Sequence, residues 1–477
     1  MQKPRKVLML VENISVPPDP RVWAEATTLR DAGYQVSIIC PKGNTIHREP
    51  YICRKHIHIY RYGLPQISSR SLAYIVEYSL ALLMTFLLSF RVWRRHGFDV
   101  IHTANPPDIF FLIALFYRCL GKKFVFDQHD LTPEMFQVIF PGRLKPLYRL
   151  LLSQENWSYK CAHVVITANL SFKKLAIERG GCTARKVFVV RNGPDLRRFK
   201  LDSPASALPF REKRRYLLAY VGVVGTQDGV EYVLYALHAL VYKRGREDVG
   251  LVLMGDGSSM QDLKDLVCQL KLEAYILFTG WVEKQEMLSY LASADIGLSP
   301  DPQNGLNEFC TMIKTMEYMA MSLPVVAFDL AETRFSAQGA ALYSRPNDVE
   351  EFARNIEILL DNEALRQSMG IYGHQRIVDT LGWEHSQKSL LAAYETLFVD
   401  VPAGQLEPAL ISPVAASLGF PGSAEFATPF PENMVLPVRN DSIASFADLQ
   451  PLTPLPDEIV LPTANNYAAT VNRTIPE

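Results

Sequence analysis

Apolar residues along this chain follow two alternating patterns. Short unbroken runs closed by Gly, Pro or polar residues read as buried strands, and apolar positions recurring every three or four residues read as helices. The first run is KVLMLV at 6–11, followed by a loop with Pro17, Pro18 and Pro20. A helix then carries Val22, Ala26 and Leu29 and stops at Gly33, before a second run at 34–41. Strand and helix keep alternating to about residue 190, with runs at 98–105 and 123–130. Such alternation argues a doubly wound parallel sheet. A polar, Pro-containing segment at 202–215 reads as a domain boundary. The pattern then restarts with runs at 216–225, 249–257, 276–282 and 296–299, separated by amphipathic segments. A last helical segment at 383–398 has an apolar face too good for a linker. The expected organisation is therefore α/β, with tandem doubly wound Rossmann-like domains at 1–198 and 199–382. A crossover helix at 383–399 and a tail at 400–477 complete it. The tail holds twelve of the 31 prolines and no periodicity, which reads as disorder.

The stretch 294–329 organises the second half. It predicts a strand at 296–299, a polar loop with Pro300, Pro302 and Gly305, a helix from Thr311 to Ser322, and a strand after Pro324. Met312, Ile313, Met316, Met319 and Ala320 form the helix's apolar face, while Lys314 and Glu317 share another side. A helix that starts at the carboxyl end of a parallel strand turns free N–H groups into the crevice above the sheet. An amine and a carboxylate there suit a ligand with phosphates and sugar hydroxyls, such as a nucleotide sugar. The plainer reading is core methionines and a solvated Lys314–Glu317 pair. In the first half, His102, Asn105, Asp127, His129 and Asp130 fall at strand ends, where ligands bind in open α/β sheets. His102 reads better as a satisfied core residue. No GxGxxG follows the first strand, which argues against a nicotinamide-dependent enzyme.

Composition narrows the classes further. Of 477 residues, 48% are hydrophobic and 21% charged, ordinary values for a globular protein, and the net charge of −1 suggests no nucleic-acid partner. That sum hides an asymmetry: 47 basic and 42 acidic residues up to position 400, then two and eight. Seven cysteines without a CxxC pair suit a reducing compartment and neither a disulfide framework nor a zinc site. The basic N-terminus is followed by an apolar run that Glu12 breaks, so no signal peptide is expected. Residues 78–90 form an apolar stretch ending in Arg91, Arg94 and Arg95. It is shorter than the roughly 20 residues a bilayer span needs. It reads either as a buried helix or as an interfacial one lying on a membrane surface. A second apolar run at 109–117 and the basic residues Arg143, Lys145 and Arg149 support the interfacial reading.

Nine motifs then fall in one order. They are DPRV at 19–22 with Glu25 and Gly33, FDVIHTANPPD, FDQHDLTPE, VVITANLSFKKL, VVRNGPDLRRF, YVGVVGTQDGVEYVLYAL, GDGSSMQDLK, ADIGLSP, and TMIKTMEYMAMSLPVVAFDLAETRFSA. Together they resemble the retaining glycosyltransferases of the GT-B fold, glycosyltransferase family 4 (glycosyl transferases group 1), over most of residues 6–398. The resemblance implies an acceptor-binding first domain, a second domain that binds a nucleotide-diphosphate sugar, and a last helix that crosses back. It implies donor contacts from Gly222, Gly225, Gly255, Glu308, Phe309, Cys310, Thr311 and Glu317. On the acceptor side it implies Asp19, Arg21, Asn105, Asp130 and Arg191, with His129 and Glu317 in catalytic roles. Lys314, one turn into the helix and on one face with Glu317, is the expected cation for the diphosphate and the third catalytic residue. Glu317 matches the second carboxylate of the family signature, but Phe309 stands at the first. Val223 and Asp228 stand where the family often carries cations that clamp the diphosphate. The implied chemistry is metal-free retention with no cofactor beyond the nucleotide sugar; no Asp-x-Asp loop is present. The implied setting is the cytoplasmic face of a membrane, with a lipid-linked or saccharide acceptor. A nucleotide-sugar epimerase, a non-catalytic partner in glycan synthesis and a membrane-surface scaffold remain as alternatives.

Overall fold

The computed structural model describes residues 3–43, 47–64, 71–140, 145–201 and 209–398. The tail expected at 400–477, residues 202–208 of the expected boundary, and Arg143 of the basic patch lie outside the described residues. Two parallel sheets account for the alternation. The first comprises β1 (Lys6–Leu10), β2 (Gln35–Pro41), β3 (Tyr51–Arg54), β4 (Ile57–Tyr62), β5 (Val100–Ala104), β6 (Lys123–Gln128), β7 (Val164–Thr167) and β8 (Val187–Val189). Their order is β3-β4-β2-β1-β5-β6-β7-β8, parallel except for β3 on β4. The second comprises β9 (Tyr216–Val221), β10 (Val249–Met254), β11 (Ile276–Gly280), β12 (Ile296–Ser299), β13 (Val325–Phe328) and β14 (Ala341–Ser344). Its order is β11-β10-β9-β12-β13-β14.

Central strands such as β5, β7, β10, β12 and β13 are buried throughout, because helices cover both faces. That is why their sequences read as unbroken apolar runs. Strand order reverses between β1 and β5 and between β9 and β12, and such switch points open a crevice at the carboxyl ends. The β3–β4 hairpin at the sheet edge was not part of the sequence expectation.

Two helices differ from their predicted bounds. The stretch expected as a short apolar element is the helix Ser71–Arg95, 25 residues long. Its segment Val76–Arg95, with mean hydropathy 1.3, is long and apolar enough to cross a membrane by length and composition. Yet Ala81, Thr85, Ser89 and Val92 form a fully buried face against the sheet, so the helix is built into the domain. The helix expected to open at Thr311 runs Ile313–Ala320, with Met312 at its N-cap and no side-chain cap.

The final helix, Trp383–Thr396, returns to the first sheet. Trp383 Nε1 and Gln387 Nε2 donate to Thr28 Oγ1 at 3.3 and 3.1 Å, Tyr394 meets Tyr34 edge-on, and Tyr394 Oη lies 2.8 Å from His102 Nδ1.

Candidate active site

In the first domain the site grows from the end of β6. Asp127 is fully buried and accepts from Arg21 Nη2 at 2.7 Å and Nε at 3.3 Å. Its Oδ2 also lies 2.5 Å from His129 Nε2. Burial opposes its charge, but Arg21 and His129 hold Asp127 well below the usual carboxylate range. A proton on His129 Nε2 facing that carboxylate leaves Nδ1 as an acceptor. The His129 side chain keeps 14% of its surface exposed. Asn105 shapes the turn: its Oδ1 accepts the N–H of His129 at 2.6 Å and of Asp130 at 3.2 Å, while Nδ2 donates to Asp108 and to the Asp130 carbonyl. His102 is a core residue, buried and bonded to Tyr394 and Asp127, and burial pushes its pKa down.

Three residues expected on the acceptor side are spent inside the protein. Arg21 is buried, and its Nη1 donates to the Val190 carbonyl at 2.7 Å and Asn192 Oδ1 at 2.6 Å, besides its bonds to Asp127. Asn105 is buried and committed to the turn, and Asp19 caps the helix Pro20–Asp31 by accepting from Val22 N at 3.0 Å. A buried guanidinium or amide must satisfy its donors locally, and these do so within the fold. The half-buried Asp130 stays at the cleft, its carboxyl pushed up by burial.

In the second domain β9 runs into Gly222 (φ +148°) and β10 into Gly255 (φ +149°). A Cβ on Gly255 would stand 1.8 Å from the Gly222 carbonyl oxygen, so only glycine lets these strand ends touch. A Cβ on Gly222 would stand 3.3 Å from Lys314 Cε, which places that lysine against the β9 loop. Lys314 is buried, with Nζ 2.5 Å from Asp301 Oδ1; Asp301 Oδ2 in turn accepts from Ser299 Oγ at 2.6 Å. Burial opposes its charge, but Asp301 and Asp228 raise the Lys314 pKa above its ordinary value. Asp228 accepts from Gly225 N at 3.0 Å and so ties down the loop. Burial pushes Asp228 up to about 6, with Lys314 opposing and Asp301 reinforcing.

The surface pairing of Lys314 with Glu317 considered from sequence is therefore replaced by a buried pairing with Asp301. Glu317 is half-buried one turn further on; burial raises its pKa, against the pull of Lys284 and Lys314. Lys284 Nζ lies 3.6 Å from the Phe199 ring centroid, and burial lowers its pKa.

The loop 301–312 joins the two domains. Phe309 and Cys310 pack on an apolar cluster of Leu131, Ala168, Phe172 and Leu306. The Phe309 carbonyl accepts from Asn169 Nδ2 at 2.7 Å. Thr311 caps no helix; its hydroxyl joins Asn169 Nδ2 at 3.2 Å to Glu332 Oε2 at 3.3 Å. Glu332 also accepts from Ser171 N at 3.0 Å, Ser171 Oγ at 2.7 Å and Arg191 Nη1 at 3.2 Å. Arg191, expected on the acceptor side, thus lies on the interdomain seam, stacked over Phe335. Glu308 instead accepts from Gln303 Nε2 at 3.4 Å on the exposed side of the loop. The Cys310 thiol is pushed up by burial, by Asp130 of the first domain and by Asp301 and Glu332 of the second. Asn169 and Ser171 of the first domain thus meet Phe309, Thr311 and Glu332 of the second across this loop.

Sequence reasoning missed Asp301, Lys284, Asn169 and Glu332. Only Asn169 carries a readable signal, an Asn just before a helix, and it does cap Leu170–Glu178. Among the described residues, Glu25, His102 and Asp127 have ligand atoms within 4.8 Å of one another, a spacing a metal could use. Arg21 sits against both carboxylates there, so a guanidinium already supplies the positive charge.

Two family models match the chain: Glycosyltransferase Family 4 over residues 21–198 and Glycosyl transferases group 1 over residues 215–362. The chain belongs to the family 4, group 1 glycosyltransferases of the GT-B fold. It is 24% identical over 355 residues to the 2-deoxystreptamine glucosyltransferase of Streptomyces kanamyceticus, covering 71% of this chain and 88% of that one. It is 22% identical over 285 residues to the Escherichia coli UDP-Gal:alpha-D-GlcNAc-diphosphoundecaprenol alpha-1,3-galactosyltransferase, covering 58% and 70%. In fold it is similar to the sucrose-phosphate synthase of Thermosynechococcus elongatus, with a TM-score of 0.68, 17% identity, and 83% and 99% of the two chains covered. This glycosyltransferase therefore carries its cation, glycine-lined strand ends and histidine on the two facing domains of that fold.

Proposed function

We propose that this glycosyltransferase moves a sugar from a nucleotide-diphosphate sugar to a lipid-linked or saccharide acceptor, with retention of anomeric configuration and without a metal. The observation that carries the reading is the buried Lys314 ammonium against Gly222 at the β9 loop, with Glu317 one turn further along its helix. In the reaction the bond from the anomeric carbon to the diphosphate oxygen breaks. The acceptor oxygen bonds to that carbon on the same face, and its proton passes to the departing phosphate. Negative charge grows on the diphosphate, and a cation already fixed in a dry site lowers that barrier most. Lys314 and the helix N–H groups above β12 fill this role. Gly222, Gly225 and Gly255 allow the backbone to approach the phosphates. Glu317 accepts from the ribose hydroxyls, since an ionised carboxylate offers acceptors only. His129 orients the acceptor hydroxyl through Nδ1. The name of the Escherichia coli relative, with its UDP-sugar donor and diphosphoundecaprenol acceptor, supports a nucleotide donor and a membrane-borne acceptor. Work at the cytoplasmic face of a membrane agrees with seven free cysteines.

The test is a thermal-shift screen of nucleotide sugars, since a true ligand stabilises the fold by mass action. The stabilising donor is then incubated with a lipid extract, with and without EDTA. Transfer that retains configuration and survives EDTA is expected. An epimerised donor, or donor binding without release of the nucleoside diphosphate, would refute the transfer. The second outcome would mark a non-catalytic partner, a role suggested by Phe309 in place of a carboxylate.

A further inference from the structure

The helices Ser71–Arg95, Phe111–Arg118 and Lys145–Cys161 lie side by side on one face of the first sheet. Phe86 and Phe90 of the first meet Phe116 of the second at ring centroids of 5.4 and 5.6 Å, and Phe111 stacks on Trp157 of the third at 6.4 Å. Their outer surface is apolar to an unusual degree. Leu83, Leu87, Leu115 and Trp157 keep 49%, 55%, 42% and 52% of their surface exposed. Contiguous apolar surface of this kind marks an interaction site. Between the second and third helices a groove of about 410 Å³ is lined by Leu115, Arg118, Cys119, Trp157, Lys160 and Cys161. Lys160 Nζ lies 5.8 Å from the Trp157 ring centroid, so a cation and an interfacial aromatic stand together at its edge.

Charge distinguishes the occupant. The three helices contain only two acidic residues, Glu77 and Glu155, and both are buried. Their charged residues with surface to offer are all positive: Arg91, Arg94, Arg95, Arg118, Lys145, Arg149 and Lys160. A second copy docked through the same face about a twofold axis would set cations against cations. An anionic bilayer meets both features at once, taking the leucines and tryptophan below the headgroups and pairing the cations with lipid phosphates. The long helix cannot leave the domain to span, because Ser89 Oγ bonds Tyr117 Oη at 2.9 Å inside and Ala81, Thr85 and Val92 are fully buried.

We infer that this three-helix face docks lengthwise on an anionic lipid bilayer, with the Leu115–Trp157 groove holding a lipid phosphate between Arg118 and Lys160. The inference deepens the reading of the acceptor as membrane-borne and rests on it for its purpose. The test needs neither donor nor acceptor: flotation with vesicles of phosphatidylcholine containing 30 mol% phosphatidylglycerol, and with phosphatidylcholine alone. Binding is expected to the first at low salt, weakened at 0.5 M NaCl and weak to the second. Lys145→Ala/Lys160→Ala should lower the partition coefficient about 25-fold. Leu83→Ser/Leu87→Ser and Leu115→Ser/Trp157→Ala should each lower it at least about tenfold. All three should still melt cooperatively, within a few degrees of the parent, and keep the stabilisation by whichever nucleotide sugar the screen selects, since the altered groups are exposed and away from the strand ends. Absence of flotation, equal binding to both vesicles, or variants that bind like the parent would overturn the docking. A dimer that these variants dissociate, without flotation, would assign the face to a second copy and overturn it too. Variant-sensitive flotation by a protein that no nucleotide sugar stabilises would leave the docking standing and sink the transferase reading instead.

Discussion

Replacing Lys314 separates two roles that the structure superimposes. Its ammonium lies 2.5 Å from Asp301, and the two side chains are 9% and 4% exposed. Removing one member of a buried ion pair strands the other charge, which costs about 3–5 kcal/mol. Lys314→Ala should therefore lose that much stability near pH 7, a fall in Tm of roughly 10 °C. Loss of activity in this variant alone would prove little. The double variant Asp301→Asn/Lys314→Gln removes both charges and keeps polar partners, so its stability should return to within about 1.5 kcal/mol of the parent. If Lys314 meets charge on the leaving diphosphate, turnover in the double variant stays about 10²-fold or more below the parent. The assay is the initial rate of nucleoside diphosphate release from the donor that stabilises the protein most. A double variant that melts like the parent and turns over within a factor of two of it would refute the role. Lys314 would then serve only to neutralise Asp301.

Asp228→Asn should tighten nucleotide-sugar binding at pH 8 and remove the part of its pH dependence that Asp228 causes. In the parent, ionisation of Asp228 as pH rises through about 6 adds a negative charge beside Lys314, so calorimetric Kd should weaken from pH 5.5 to 8. Glu12 is buried and raised to about 8 by burial and by Glu77, so the folded state holds a proton that the unfolded chain releases above its ordinary value. Its stabilising contribution is complete at pH 4 and lost as pH rises to about 8; Glu12→Gln should melt above the parent at pH 9 and level with it at pH 4. Trp383→Ala should cost about 3–5 kcal/mol by denaturant titration, because its ring is buried where the final helix meets Thr28. A chain ending at Asp400 should keep turnover within a few-fold, and an inactive but folded product would show that the Pro-rich segment contributes to the site.

The sequence by itself determined the two sheets. Strands β1, β5, β10 and β12 are covered on both faces, so they need apolar residues at every position, and such runs are visible without coordinates. The return of the final helix was also legible, because an apolar face at 383–398 has to bury itself somewhere. Lys314 and Glu317 could be placed near a strand end because their helix follows β12 directly.

Tertiary structure alone decided what those groups meet. Lys314 pairs with Asp301, thirteen positions earlier, because the polar loop after β12 folds back over the helix start. Arg21 reaches Asp127 across 106 positions, Ser171 reaches Glu332 across 161, and His102 reaches Tyr394 across 292. No periodicity encodes such partners, since they are chosen by which strand ends and which domains come together. Arg21 and Asn105 looked like ligand contacts for that reason. Asn105 is a polar residue at a strand end and Arg21 stands in the first turn of the first helix, and only burial shows that their donors are already spent. The helix Ser71–Arg95 carries the same lesson at its surface. Its composition suits a core helix, an interfacial helix or a span, and the choice depends on which of its faces the sheet covers.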